Sequence, residues 1–459
     1  MGSSDAERSA DRPDFALFDE ALAAAMERLG VPGAAAGLIY GGSEHVVGLG
    51  VTSIEHPLPV DGDTLFQVGS ITKTVTGTAV MRLVELGLLE LDAPVRTYLP
   101  ELRLADEGTV ARLTLRHLLT HTAGWQSDYF YNAGSDADAL ARYVARMSEL
   151  PQLTPVGTVW AYNSPGLSLA GRVIEVVTGQ SYEAAIRELV LAPLGMARSC
   201  FTAEEAITHR VVAGHYARGG EALAVVHAWA IPRALRPSGG LVTTVHDMLR
   251  YLRLHLGGGP RLLAPESLAL MQAAQVQAGG KADACGLTWM LKDLDGGRIV
   301  RHGGGTSGQW SECLLAPERG FGLILLTNAE AGEALNDETS RWALRRYLGM
   351  EEPALTPLSL PESELAAYAG RYEAAFATVD LSVHDGELIA QVTYRSGFPT
   401  KDSPPPPLVP PVRCTFYRPD RMVVTEPPLQ GYRGEFLRGV QGEVEWMRFN
   451  GRIYVKRET

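Results

Sequence analysis

Ser70-Ile71-Thr72-Lys73 sets a serine hydroxyl and a lysine amine three positions apart at the head of a helix-like run. On a helix such residues lie about 60° apart around the axis and one turn along it, so both side chains reach one place. Serine is a poor nucleophile until a neighbouring base takes its proton, and a neutral lysine is one of the bases proteins use. The pair could therefore attack a carbonyl and hold an acyl group on Ser70. Free lysine titrates near roughly 10.4, so Lys73 would need burial or a positive neighbour to act near neutrality.

The elements around this pair can be read from periodicity. Phe15 to Leu29 repeats apolar residues at helical spacing and stops at Gly30, a plausible cap. Gly33 to Gly50 reads as a hairpin broken at Gly41-Gly42. Thr74 to Leu91 continues the helix that Ser70 opens, with Val75, Ala79, Leu83 and Leu86 on one face. A mostly helical middle follows, including Leu113–Leu119 and Gly166–Val177. Arg298–His302, Glu312–Leu315 and Gly322–Thr327 read as strands, and Glu338–Leu348 as a closing helix. The expected fold class is α+β: a sheet covered by helices with an all-helical lobe, then a small antiparallel all-β barrel or sandwich.

That barrel is expected over 364–459, after a linker at 351–363 rich in Pro, Glu and Ser. Asp385-Gly386 and Asn450-Gly451 are type I′ hairpin signals within it, and Pro404 to Pro411 reads as a stiff loop between strands. The catalytic unit would span 13–350, and the polar, small residues 1–12 a disordered lead-in.

Composition narrows the classes of function. The 459 residues carry a net charge of -12 with Lys and Arg scattered, which argues against nucleic acid and an anionic membrane surface as partners. No apolar run approaches the roughly 18 residues of a membrane span, and no export signal is visible, so a cytoplasmic location is expected. Cys200, Cys285, Cys313 and Cys414 are widely separated and read as isolated buried thiols. No metal-ligand spacing occurs, and neither a metal nor a cofactor is expected.

Two later motifs join Ser70 and Lys73. Tyr162-Asn163-Ser164-Pro165 precedes a helix-like segment, and His302-Gly303-Gly304-Gly305-Thr306-Ser307-Gly308 ends a strand-like one. In this order the three resemble the serine β-lactamase and penicillin-binding-protein superfamily, in which S-x-x-K is followed by Y-x-N or S-x-N and then K-T-G or H-x-G. The phrases Leu118-Leu119-Thr120-His121-Thr122-Ala123-Gly124 and Ser238-Gly239-Gly240-Leu241 also look like that family. The resemblance spans roughly residues 14–350.

It implies that Ser70 carries the acyl group, while Lys73 and Tyr162 share proton traffic, either one being the base in acylation. The backbone N–H groups of Ser70 and Gly305 would form the oxyanion hole. Gly304, with its glycine neighbours, would let substrate lie along the strand edge. Two positions depart from the pattern. Ser164 stands where Asn is usual, offering fewer contacts than an amide. His302 stands where Lys is common, and a mostly neutral imidazole holds a carboxylate less firmly than an ammonium does. Both weigh against efficient β-lactam hydrolysis and towards esters, amides or thioesters.

Trp125 and Tyr129, in an aromatic cluster with Phe130 and Tyr131, are candidates for a substrate-pocket wall, with core packing the alternative. Arg448 would meet a substrate carboxylate if the barrel covers the site. The tail opened by Tyr368-Ala369-Gly370-Arg371-Tyr372 looks like the lipocalin-like domain attached to some members, among them D-stereospecific peptidases and penicillin-binding-protein-type thioesterases that cyclise nonribosomal peptides. The expected activity is a serine acyl-enzyme hydrolase or acyltransferase acting on peptidyl substrates, some presented as carrier-protein thioesters. A carboxylesterase or D-aminopeptidase is the competing enzyme. A non-catalytic binding protein of the same fold is the reading from another class, and the intact Ser70, Lys73 and Tyr162 argue against it.

Overall fold

The computed structural model describes residues 14–217, 222–229, 231–280, 282–395, 397 and 408–457. The expected lead-in at 1–12 and residues 404–407 of the proline-rich loop lie outside the described residues.

Eight strands form one antiparallel sheet: β1 (Gly33–Tyr40), β2 (Ser43–Gly50), β3 (Val276–Gln277), β4 (Ala284–Cys285), β5 (Met290–Leu294), β6 (Gly297–Thr306), β7 (Gln309–Ala316) and β8 (Phe321–Thr327), in the order β2-β1-β8-β7-β6-β5-β4-β3. The central strand β8 is buried throughout, and its side chains alternate between two cores. Leu323 and Leu325 join Phe18 and Leu22 of helix α1 (Ala16–Leu29) on one face. Ile324 and Leu326 face the helical lobe with Val75 and Leu249.

Helix α2 (Thr72–Glu85) runs through the centre of the lobe with Thr72, Thr74, Thr76 and Thr78 all buried. A polar helix survives there because each hydroxyl bonds a carbonyl three or four residues back, and Thr76 and Thr78 also reach Tyr182 and Tyr251. The helix stops at Glu85 rather than Leu91. Gly87, in the left-handed region at φ 71°, reverses the chain, and Leu88 N–H bonds back to Leu83 O. Helix α3 (Ser164–Thr178) starts where Asn163 accepts the Gly166 N–H at 2.8 Å. Helix α4 is Val245–His255. Helix α5 begins at Gly332, earlier than the periodicity from Glu338 suggests, and reaches Ala343 before one π-helical turn to Leu348.

The C-terminal strands close into an antiparallel barrel: β9 (Gly370–Glu373), β10 (Ala377–His384), β11 (Glu387–Tyr394), β12 (Val412–Arg418), β13 (Arg421–Val424), β14 (Arg433–Arg438), β15 (Val444–Phe449) and β16 (Arg452–Arg457). Closure leaves no exposed sheet edge and encloses Tyr372, Val379, Phe416, Phe436 and Met447. Both expected hairpin turns form, with positive φ at Asp385-Gly386 and Asn450-Gly451. Between sheet and barrel, Glu351 bridges Asp295 and Leu358 bridges Phe416. Among the described residues no helix is long and apolar enough to cross a membrane.

Candidate active site

A single 3₁₀ turn, Gly69–Ile71, presents Ser70 at the head of α2, directly beneath β6. Gly69 (φ +50°) and Gly304 permit this approach. A Cβ on Gly304 would stand 2.0 Å from Val68 O and 2.8 Å from Ser70 N, and one on Gly69 would stand 2.7 Å from Gly305 N. Thr306 and Gln309 flank a two-residue turn, so the Gly305–Trp310 pair is non-hydrogen-bonded and Gly305 turns its N–H away from β7. Pairing on that other edge ends at Arg301–Met290. The Gly305 N–H is thus directed away from β7, on a stretch of β6 packed against the turn that carries the Ser70 N–H.

Lys73 is 1% exposed. Its Nζ lies 2.9 Å from Ser70 Oγ and donates to Ser238 O at 2.7 Å. No carboxylate lies within ion-pair distance of it among the described residues. Burial pulls its pKa from 10.5 down to about 7; the positive Arg452 pulls the same way and Asp128 opposes. In the neutral form one N–H keeps Ser238 O while the lone pair can accept the Ser70 proton.

Tyr162 lies over this pair, its ring centroid 4.9 Å from Lys73 Nζ. Burial raises its phenol well above the usual tyrosine range, and Ser70 and Arg452 only partly oppose that. Near neutrality Tyr162 is therefore an O–H donor. The ring is held from several sides. His121, a non-glycine residue at φ 57°, lies 4.8 Å away centroid to centroid, and its Nδ1 is 3.1 Å from both N and O of Asn163. The Tyr162 N–H donates to Gly451 O of the barrel at 2.8 Å.

His302 is buried, its ring 6.0 Å from Tyr162 and its Nδ1 2.6 Å from Gly303 O. A carbonyl only accepts, so Nδ1 carries the proton and a neutral His302 has its lone pair at Nε2. Asn163 spends its amide on the Gly166 N–H and Gln126 O, whereas the half-buried Ser164 makes no side-chain hydrogen bond among the described residues.

The remaining sequence candidates lie further out. Trp125, 1% exposed, is part of the lobe core. Half-buried Tyr129 bonds Glu149 at 3.1 Å and packs on Tyr131 and Tyr143. Arg448 donates to Trp160 O at 2.7 Å and pairs with Glu435. The arginine that approaches Tyr162 is Arg452, at 5.9 Å from the ring centroid, and it is bound to Asp128. Neither Arg452 nor Asp128 carries a motif, and no spacing links residues 324 positions apart. Ser238 was within reach of sequence reasoning, because its glycine-rich phrase already resembled the family.

A family model described as Beta-lactamase matches residues 18–348. The chain belongs to the beta-lactamase family. Penicillin-binding protein 4 of Amycolatopsis lactamdurans is 33% identical over 375 residues, covering 78% of this chain and 98% of that protein. Esterase EstB of Burkholderia gladioli is 38% identical over 213 residues, 43% of this chain and 53% of the esterase. The crystal structure of SurE with D-Leu superposes with a TM-score of 0.76 at 24% identity, covering 97% of this chain and all of that one, so the fold likeness includes the barrel. Like its relatives, this member of the family is an enzyme of the serine hydrolase type.

Proposed function

We propose that the enzyme is an acyltransferase that takes a peptidyl group from a thioester, ester or amide onto Ser70 and passes it to an amine, closing a peptide ring. The carrying observation is the carboxylate-free Lys73 amine, 2.9 Å from Ser70 Oγ and drawn down to about 7. Ser70 attacks the acyl carbonyl as Lys73 takes its proton. The N–H groups of Ser70 and Gly305 stabilise the oxyanion, and Tyr162 gives its proton to the leaving group. An incoming amine then displaces Ser70 from the ester, and the protons return by the same groups.

Two observations support aminolysis of a peptidyl donor. The barrel touches Tyr162 through Gly451 and Arg452, and a cover seated there would limit water at the acyl-enzyme. The imidazole of His302, its Nδ1 bonded to Gly303 O, stands where an ammonium would hold the carboxylate of a β-lactam more firmly. A carrier-protein thioester is the donor we favour, and the D-Leu bound by SurE suggests a D-residue at the acyl position. The similarity to an esterase favours the second reading, in which water takes the acyl group as in a carboxylesterase or D-aminopeptidase.

Peptidyl thioesters ending in D- or L-residues, each with a free N-terminus, separate these readings by intact-mass detection of acyl-Ser70 and by product analysis. Cyclic peptide is expected from the D-series. Linear acid as sole product would overturn the cyclase and leave the hydrolase. Persistence of the acyl adduct in Ser70→Ala would overturn the nucleophile itself.

A further inference from the structure

Arg452 is the first residue of β16, immediately after the Asn450-Gly451 turn, and enters the catalytic body from the barrel. Its Nε donates to Asp128 Oδ2 at 2.7 Å and its Nη2 to Oδ1 at 3.3 Å. The Asp128 side chain is 6% exposed and that of Arg452 26%. Asp128 sits on the loop after Trp125, whose Ser127 carbonyl accepts the Ser164 N–H at 3.3 Å. The ion pair thus ties the last barrel hairpin to the loop that seats the Tyr162 motif. Both Lys73 and Arg452 approach the Tyr162 ring, Lys73 Nζ at 4.9 Å and Arg452 Cζ at 5.9 Å from its centroid.

Among the described residues, titratable neighbours come from both sides. From below, His121 faces Lys73 and Tyr162, His302 faces Tyr162 and His121, and Cys285 of β4 faces Tyr162. From above, Tyr394, Tyr432 and Tyr454 of the barrel face Arg452, with Glu333 of α5 behind Tyr394 and Tyr432. Burial holds all these tyrosines and Cys285 above their ordinary ranges and His121 below its own, so they are neutral near pH 7. Arg452 and Asp128 form an ion pair whose two charges act on Lys73.

We propose that Arg452 and Asp128 are positioning residues that couple docking of the C-terminal barrel to the proton-accepting power of Lys73. This rests on the reading of Lys73 as the base. The guanidinium disfavours a second cation beneath it, and the carboxylate limits that effect. The two partners of one ion pair thus act on the base in opposite directions, and a mechanical clamp cannot do that. Undocking would hydrate Lys73 and favour its ammonium whichever partner was lost.

The test is the pH dependence of covalent labelling of Ser70 by a fluorophosphonate in the full-length chain. Arg452→Gln should move the alkaline-rising limb to higher pH and Asp128→Asn to lower pH, each by about half a unit or more. The double variant should fall between them, and Arg452→Lys should stay near the parent. Melting curves and circular dichroism confirm that each variant is folded. Shifts of both single variants in the same direction, or loss of amplitude without a shift, would overturn the coupling while leaving Lys73 as the base. If Arg452→Gln does not fold, Asp128→Asn decides alone: an unmoved or raised limb overturns the proposal. Absence of any limb in the parent would instead overturn the reading of Lys73.

Discussion

Replacing Lys73 by methionine removes a buried amine and keeps most of its volume, so it isolates the electrostatic cost of the site. The fall in pKa from 10.5 to about 7 means the fold disfavours the ammonium over the amine by roughly 5 kcal/mol, at about 1.36 kcal/mol per unit. The sign follows from proton counting. Between pH 7 and 10.5 the unfolded chain binds the lysine proton and the folded chain does not, so stability rises with pH across that window. Integrated from pH 6 to pH 9, Lys73 contributes roughly 3 kcal/mol of pH dependence, with its penalty largest at the acid end. Lys73→Met should lose this slope and gain stability over the parent by about that much more at pH 6 than at pH 9. The lost bonds to Ser238 O and Ser70 add an offset that does not depend on pH. Taken at about 2 cal/mol/K per residue, a 459-residue chain turns this into a differential melting shift of roughly 3 °C. Calorimetry of both proteins at pH 6, 7, 8 and 9 reads it directly. A difference in melting temperature that stays constant with pH would mean Lys73 keeps its ordinary basicity, and the reasoning about its role would fail with it.

The acylation rate of the parent should rise with pH through about 7, because Lys73 accepts a proton only when neutral; stopped-flow labelling that is flat from pH 5.5 to 8.5 would contradict this. Gly304→Ala pushes a Cβ to 2.0 Å from the backbone Val68 O, forcing β6 away from Ser70, so kcat should fall by about 10²–10³ and the melting temperature should fall with it; a variant with parental kcat would contradict the close strand-to-turn approach. Tyr162→Phe should slow acylation by amides about 10²-fold or more, since an amine leaving group needs a proton. Thioesters should suffer far less, because a thiolate leaves unaided, and equal losses on both substrates would count against Tyr162 as the donor.

Local features of the site were legible because local geometry determines them. Ser70 and Lys73 sit one helical turn apart whatever surrounds them, and the Asn163-Ser164-Pro165 start of α3 fixes where Tyr162 leaves the chain. The alternating cores of β8 and the Asn-Gly turn of the barrel follow equally from side-chain period and backbone conformation. Helix ends were less legible. Gly87 stops α2 early although the apolar pattern continues, since a left-handed residue outweighs periodicity. The second partner of Lys73 is a backbone carbonyl, that of Ser238, and any residue type supplies a carbonyl. Arg448 and Arg452 are four residues apart on one hairpin, and the sequence offers no way to say which reaches the loop at Asp128. That depends on how one folded surface seats on another.

The way the barrel seats joins two requirements that pull against each other. A lysine base near neutrality must be dry enough to lose its proton, yet a dry site leaves a buried amine needing hydrogen bonds and a fold able to bear the cost. Ser238 O and Ser70 Oγ meet the first need. For the second, the hydroxyl-to-carbonyl bonds along α2 and the barrel contacts at Trp160 and Tyr162 supply stabilisation that offsets the cost. A change that loosens the barrel while leaving Arg452 and Asp128 in place would then raise the basicity of Lys73 and admit water together, slowing acylation near neutrality and, on the acyltransfer reading, favouring hydrolysis over aminolysis. The two effects should therefore move as one across a series of barrel-interface variants. A variant that increased linear product without shifting the pH limb would separate water access from base tuning, and would show that the lid and the electrostatics reside in different contacts.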